Sequence, residues 1–221
     1  TCALPICEGA GYHETQLSDM ASATAIRALV AQGRIEDARG VMPPESYEIL
    51  SREHEAGGIS ELSRAETAVI HALRGMDEGY LSQIADISGG LEGRIISAAR
   101  KAVSLEELYS LCAAKNYTSS RIRRAVLAAV NGVTRQDVLR APSHTVLLAA
   151  SKRGCELLGT VRKSASIPVI TKPAHAARLR GQAREDYEKG ARADAFYALT
   201  LRTRQSAAAV WEKGPFIVGR G

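Results

Sequence analysis

Ser22-Ala-Thr-Ala-Ile-Arg27 gathers two hydroxyls and a guanidinium at the start of a stretch that reads as a helix. A helix start presents unpaired backbone N–H groups and the positive end of the helix dipole, and both attract phosphate. Ser22 and Thr24 add hydroxyl donors there. Arg27 follows Thr24 by three residues, on nearly the same helical face, within reach of the same anion. The dipole contributes only about 0.3–1 kcal/mol at an exposed end, so a nucleotide site needs further groups from elsewhere. The spacing alone fits a phosphate site, and it fits equally an N-cap at Ser22 beside a surface arginine. Gly9-Ala-Gly-Tyr-His13 has the glycines for a loop that meets a ligand through its backbone, or for an ordinary turn.

A second cluster is Tyr117-Thr-Ser-Ser-Arg-Ile-Arg-Arg124, which runs into the apolar Ala125–Val130. Ile122, Val126, Ala129 and Val130 form the expected buried stripe, leaving Arg121, Arg123 and Arg124 on the flanks and outer face. Arginines in the first turns oppose the helix dipole, which hints at a use other than stability. Phosphate contact, with the Tyr117 ring nearby for a base, is one such use, and a solvated helix face is the other reading. The five histidines are scattered and none pairs with an acid or Cys at metal-ligand spacing; His71 falls in an apolar stripe and is expected to be a satisfied core residue. No GxSxG, P-loop, GxGxxG or His-x-Gly-His spelling occurs, so the catalytic residues are not identified and no metal ligands are assigned.

The elements that must position these clusters are mostly helical. Periodicity and stop signals predict helices over 23–32, 34–42, 45–54, 61–74, 80–86, 92–102, 105–115 and 119–131. Gly33, Pro43-Pro44 and Gly57-Gly58 end the first three, and Ser104-Leu-Glu-Glu107 spells a capping box in which Glu107 reaches the Ser104 amide. After Pro142 the texture changes: strands are expected over 144–149 and 167–171, helices over 152–163 and 182–203, and an edge strand over 215–218. Strand-helix-strand order over 144–171 implies a small sheet flanked by helices. Trp211 and the methionines read as packing residues.

With 221 residues, 45% hydrophobic and 24% charged, the chain has ordinary globular composition and is not disordered. Its longest apolar runs fall far short of the roughly 20 residues of a membrane span, so no membrane partner is expected. Cys2, Cys7, Cys112 and Cys155 match neither a CxxC pair nor a zinc knuckle, and reduced thiols in a cytoplasmic protein are the default. The net charge of +5 is unevenly spread. Residues 1–117 carry 10 basic and 17 acidic side chains, residues 118–180 carry 12 and 2, and residues 181–221 carry 7 and 5. The middle block is the footprint of a polyanion-binding face, or of a basic surface with no partner.

Together these motifs resemble the bacterial tRNA(Met) cytidine acetate ligases, of the HIGH-type nucleotidyltransferase-like superfamily. The resemblance runs from Gly9–His13 through Ser22–Arg27, similar to that family's Ser-Ala-Thr-x-Ile-Arg nucleotide motif. It continues through Gly90-Leu-Glu-Gly-Arg94, Ser104–Leu108, Tyr117–Arg124, Lys152–Leu158 and Ile167–Lys172, and closes at Ala193–Leu199. It implies an enzyme that activates acetate with ATP to acetyl-adenylate, with Mg2+ as an accompanying ion, and transfers the acetyl group to N4 of the wobble cytidine of elongator tRNA(Met). By the same resemblance Ser22, Thr24 and Arg27 bind ATP, while Tyr117, Arg121, Arg123 and Arg124 face RNA. The implied fold is mainly α: residues 1–44 as the tail end of a Rossmann-like nucleotidyltransferase domain, and residues 45–221 as a helical, tRNA-binding C-terminal domain with a small α/β element around 144–171. Residues 1–6 read like translated adapter DNA and are set aside as an artefact, with the catalytic His-x-Gly-His loop expected in a longer parent. Residues 144–151 depart from the family's usual Arg-Val-Leu-Gly-Phe run, which implies altered sheet packing there. Two other readings stand beside this one: a non-catalytic helical RNA-binding module, and a nucleotidyltransferase of another substrate class.

Overall fold

The structure is a computed structural model that describes residues 21–207 and 214–218. Thr1–Ile6, Gly9–His13 and Trp211 lie outside the described residues. The chain divides into two compact units, Thr1–Ile59 and Ser60–Gly221. It is mostly helical, with two small parallel sheets.

Among the described residues of the first unit, the first element is α1 (Ala23–Ala31). Ser22 caps it, its Oγ accepting from the Ala25 amide at 3.1 Å. Gly33, at φ +71°, closes its other end: its own N–H donates to the Val30 carbonyl and Arg34 N–H to that of Leu29, a left-handed cap that favours glycine. The helix expected over 34–42 is only one 3-10 turn, Ile35–Ala38. That segment buries Ala38 alone, so it has no apolar stripe to hold a longer helix in place. α2 (Pro44–Glu55) starts on a proline whose fixed φ suits a first helical position. It returns Tyr47 to pack with Leu29 and Ala38, where the Tyr47 hydroxyl donates to Glu36 Oε2 at 2.8 Å and Arg39 lies 5.1 Å over the ring. Met42 and Leu50 pack against this cluster. The compact unit runs through α2 to Ile59.

In the second unit a 3-10 turn, Leu62–Ala65, leads into α3 (Glu66–Arg74), where one helix over 61–74 was expected. Then come α4 (Glu78–Gln83), α5 (Leu91–Lys101), α6 (Leu105–Cys112), α7 (Ser119–Asn131) and a five-residue helix missed by periodicity, α8 (Arg135–Leu139). Their apolar stripes meet in one core: Val69, Ile70 and Leu73 of α3, Ile95 of α5, Leu108 of α6, and Ile122 and Val126 of α7 are all buried. Met76 packs against it. His71 is exposed rather than buried, because one step past Ile70 it rotates off that stripe.

Long side chains tie the helix ends together. Glu66 Oε2 accepts from the Leu105 amide at 2.6 Å, at the start of α6. Arg74 donates to the Ala99 and Ala102 carbonyls at the end of α5, and Arg94 to Cys112 and Ala113 at the end of α6. The Ser104 hydroxyl accepts from Glu107 N–H as expected, but Glu107 Oε2 accepts from Val103 N–H, one residue before the Ser104 amide. The reciprocal capping box forms instead at Thr134 and Asp137, opening α8.

The expected strand over 144–149 is two strands. β1 (Thr145–Val146) pairs in parallel with β3 (Val169–Ile170), in register Thr145 with Val169. β2 (Ala149–Ser151) pairs in parallel with β4 (Phe216–Val218). One extended run thus serves two sheets in turn, since each half finds a different partner. Between them lie α9 (Lys152–Ser164), capped by Ser151, and α10 (Gly181–Leu199). α10 stops before residue 203 because Thr200 turns to the start of the unit: its carbonyl accepts from Glu61 N–H at 2.9 Å and Leu201 bridges Ser60.

Candidate functional site

The first-turn backbone of α1 carries no acidic side chain, so nothing there opposes an incoming anion. Ser22 and Thr24 are half-buried at this helix start and Ser22 is its cap, while Arg27 is exposed and has no hydrogen-bond or ion-pair partner among the described residues. The three residues therefore stand together on one helix start. Chemically the arrangement offers amide N–H groups, hydroxyls and one uncommitted guanidinium.

The second cluster is built differently from its sequence reading. Thr118 caps α7, and the four named side chains do not form one open face. Tyr117 Oη donates to the Gly89 carbonyl. Arg121 Nε donates to the Asp86 carbonyl at 3.0 Å, and its Nη2 to Ser88 Oγ at 2.7 Å. Arg124 Nε binds Asp86 Oδ2 at 2.9 Å, and Arg135 donates to the Ile87 carbonyl. All four close on the turn at residues 86–89, where Asp86 has φ +63° and Gly89 and Gly90 are also left-handed. A non-glycine residue in that region is uncommon and strained, and Asp is among the few that tolerate it. Arg121 also lies 5.4 Å over the Tyr117 ring.

The use that the dipole argument pointed to is thus partly structural: Arg121 and Arg124 hold a strained turn. Arg123 is the exception, exposed and 5.3 Å over the Tyr109 ring, which leaves its edges open to an anion. Sequence reading missed Asp86, Ser88 and Arg135 as partners of this cluster. The Ser88-Gly89-Gly90 run is the local sequence signal of a turn there.

Residues 6–210 match the family described as HIGH Nucleotidyl Transferase. The chain belongs to that family. Among curated relatives of this HIGH nucleotidyl transferase, the tRNA(Met) cytidine acetate ligase of Thermotoga maritima is 34% identical over 155 residues, covering 68% of this chain and 37% of the relative. That of Clostridium perfringens is 30% identical over 170 residues, covering 74% and 41%. Two solved structures of Thermotoga maritima TmcAL are similar throughout. One, bound with alpha-thio ATP, has a TM-score of 0.80 at 26% identity and covers 90% of this chain and 52% of its own. The other, an apo form, has a TM-score of 0.84 at 27% identity, covering 95% and 54%. The chain spans about two fifths of the length of these curated relatives and about half that of the solved chains.

Among the described residues no group of three or more His, Cys, Asp or Glu side chains could hold a metal ion, and no helix is long and apolar enough to cross a membrane.

Proposed function

We propose that this HIGH nucleotidyl transferase is part of a tRNA(Met) cytidine acetate ligase. The enzyme activates acetate with ATP and transfers the acetyl group to N4 of the wobble cytidine of elongator tRNA(Met). The likeness to TmcAL bound with alpha-thio ATP, over nine tenths of this chain, is the observation that carries the reading. Acting on tRNA would place the enzyme in the cytoplasm. Residues up to about 44 would then be the tail of the Rossmann-like nucleotide domain, and the helical remainder the RNA-holding part.

In this reading a carboxylate oxygen of acetate attacks the α-phosphorus of ATP, the bond to the bridging oxygen breaks, and pyrophosphate leaves. The cytidine N4 then attacks the acetyl carbonyl, AMP leaves with the former carboxylate oxygen, and the amine loses a proton. The role of this chain lies in positioning. The α1 amides with Ser22 and Thr24 receive phosphate oxygens, and Arg27 neutralises charge that grows on them as pyrophosphate departs. The first turn of α1 has no carboxylate and no metal-ligating cluster lies among the described residues, so these side chains do not by themselves form a Mg2+ site, and no step is routed through one.

The test is acetate-dependent AMP formation, with acetylcytidine measured in tRNA(Met), on the full-length ligase that carries this chain. Arg27→Ala should lower both by roughly a hundredfold, the usual scale for a lost charge-stabilising group. Undiminished activity removes Arg27 from the mechanism.

The charge block over residues 118–180 favours a second reading, in which this chain serves as a helical RNA-binding module without its own chemistry. Retained tRNA binding with no AMP formation by a full-length parent would select it.

A further inference from the structure

A cavity of about 420 Å3 opens in the second unit, between β1 and β3, the segment leading into β4, and α10. Its walls are apolar at Val146, Leu148, Ile170 and Pro215, which suits an apolar ring system rather than a hydrated ion. One stripe of α10 completes it: Tyr187, Gly190 and Asp194 stand at i, i+3 and i+7.

Two members of that stripe, Gly190 and Asp194, have a feature that packing does not explain, and the third brings a ring to the same space. Gly190 lies in mid-helix, where glycine is a poorer helix former than alanine, yet nothing stands within 4 Å of where its Cβ would be. No close neighbour demands glycine; its effect is to keep the cavity open. The Asp194 carboxylate is half-buried on the cavity wall, with no hydrogen-bond or ion-pair partner among the described residues. A carboxylate removed from water and left unpaired is an acceptor awaiting a donor. Tyr187 meets the His144 ring edge-on, centroids 5.7 Å apart, so two aromatic side chains border the same space. Lys172, exposed, supplies a cation at the rim.

We infer that this cavity receives a single unstacked nucleobase bearing an exocyclic amine, with its phosphate toward Lys172. Aromatic and apolar walls hold the ring, and Asp194 accepts from the amine, as a carboxylate does from N4 of cytosine. Uracil presents a carbonyl at that position and would face the carboxylate acceptor to acceptor. The inference does not depend on acetyl transfer and goes beyond the proposed activity; only the source of the base, RNA strand or free nucleotide, touches that reading.

The experiment titrates CMP and UMP into the full chain and follows backbone amide shifts by NMR. CMP should bind saturably and about tenfold or more tighter than UMP, the scale of one good base-edge contact. Gly190→Leu, which fills the cavity, and Asp194→Ala should each weaken CMP by a similar factor. Both replacements are better helix formers than the residues they replace, so α10 should persist and its amide dispersion checks that. A short cytosine-containing single-stranded RNA that binds tighter than CMP assigns the source to a strand, and equal affinities assign it to the free nucleotide. Equal binding of CMP and UMP, no saturable shifts, or indifference to Gly190→Leu would each overturn the inference. None of these readouts involves acetylation, so this test and that of the ligase reading fail separately.

Discussion

Asp137 stands where four donors meet, the most distant of them Arg140 Nη1 at 3.4 Å. Burial raises its carboxyl pKa, but the Lys189 ammonium at 2.5 Å, the Thr134 hydroxyl and the Thr134 amide outweigh that and hold it at about 2. Its folded pKa lies below the roughly 3.9 of an unfolded aspartate, so its stabilising contribution is present above pH 4 and disappears as pH falls toward 2. Asp137→Asn should therefore lower stability by about 1–2 kcal/mol at pH 7, between the values for exposed and buried pairs, and by little at pH 2. Urea unfolding of both proteins across that range checks it. Desolvation shifts the Asp194 carboxyl the other way, but it is common to both proteins and cancels in the difference. Burial also pushes the Cys112 thiol up to about 11, against the opposing charge of Arg94. At pH 8 an alkylating reagent should modify Cys155, which is half-buried, well before Cys112, as peptide mass mapping would show.

The clasp on the turn before α5 separates two roles that the same arginine-rich stretch seemed to share. Arg121→Ala removes donors to Asp86 and Ser88 and should destabilise the second unit by about 1–2 kcal/mol, with faster amide exchange at residues 86–90. Arg123→Ala removes no hydrogen bond and should leave thermal unfolding nearly unchanged while weakening RNA binding. The reverse pattern would relocate the RNA contact to Arg121. The helices themselves were legible in the chain: α7 spans the expected 119–131, and Ser22 caps α1 as one of its two readings had it, because cap and stripe are local signals. What could not be read depends on distant partners. Nothing near Arg121 names Asp86, 35 positions away. Nothing in the 144–149 run shows that its two halves pair with residues 169–170 and 216–218. The five residues of α8 are too few for a period to show, and Thr134–Asp137, with Asp in place of Glu or Gln, is a weaker capping-box spelling than Ser104–Glu107.

Across the whole chain charge is unevenly distributed, with a basic block over residues 118–180. If the basic block over residues 118–180 grips phosphates, tRNA affinity should fall linearly in log–log with salt, with slope near −0.7 to −0.9 per phosphate contacted. Mutating Arg123 should reduce that slope by roughly one contact, and a flat salt dependence would remove the polyanion reading. The phosphate-facing half of the proposal was legible at Ser22–Arg27, where a cap, two hydroxyls and a guanidinium fall within one short run of sequence. The pairing of β2 with β4 has a temporal meaning as well. Those partners are separated in the chain by α9, β3 and the whole of α10, and parallel pairing across so long an interval pays loop-closure entropy before any contact rewards it. During synthesis, residues 149–151 must wait, edge bare, until residues 216–218 leave the ribosome. The chamber beside Tyr187 and Asp194, one wall of which is Pro215, accordingly takes shape only once residues 214–218 have been made.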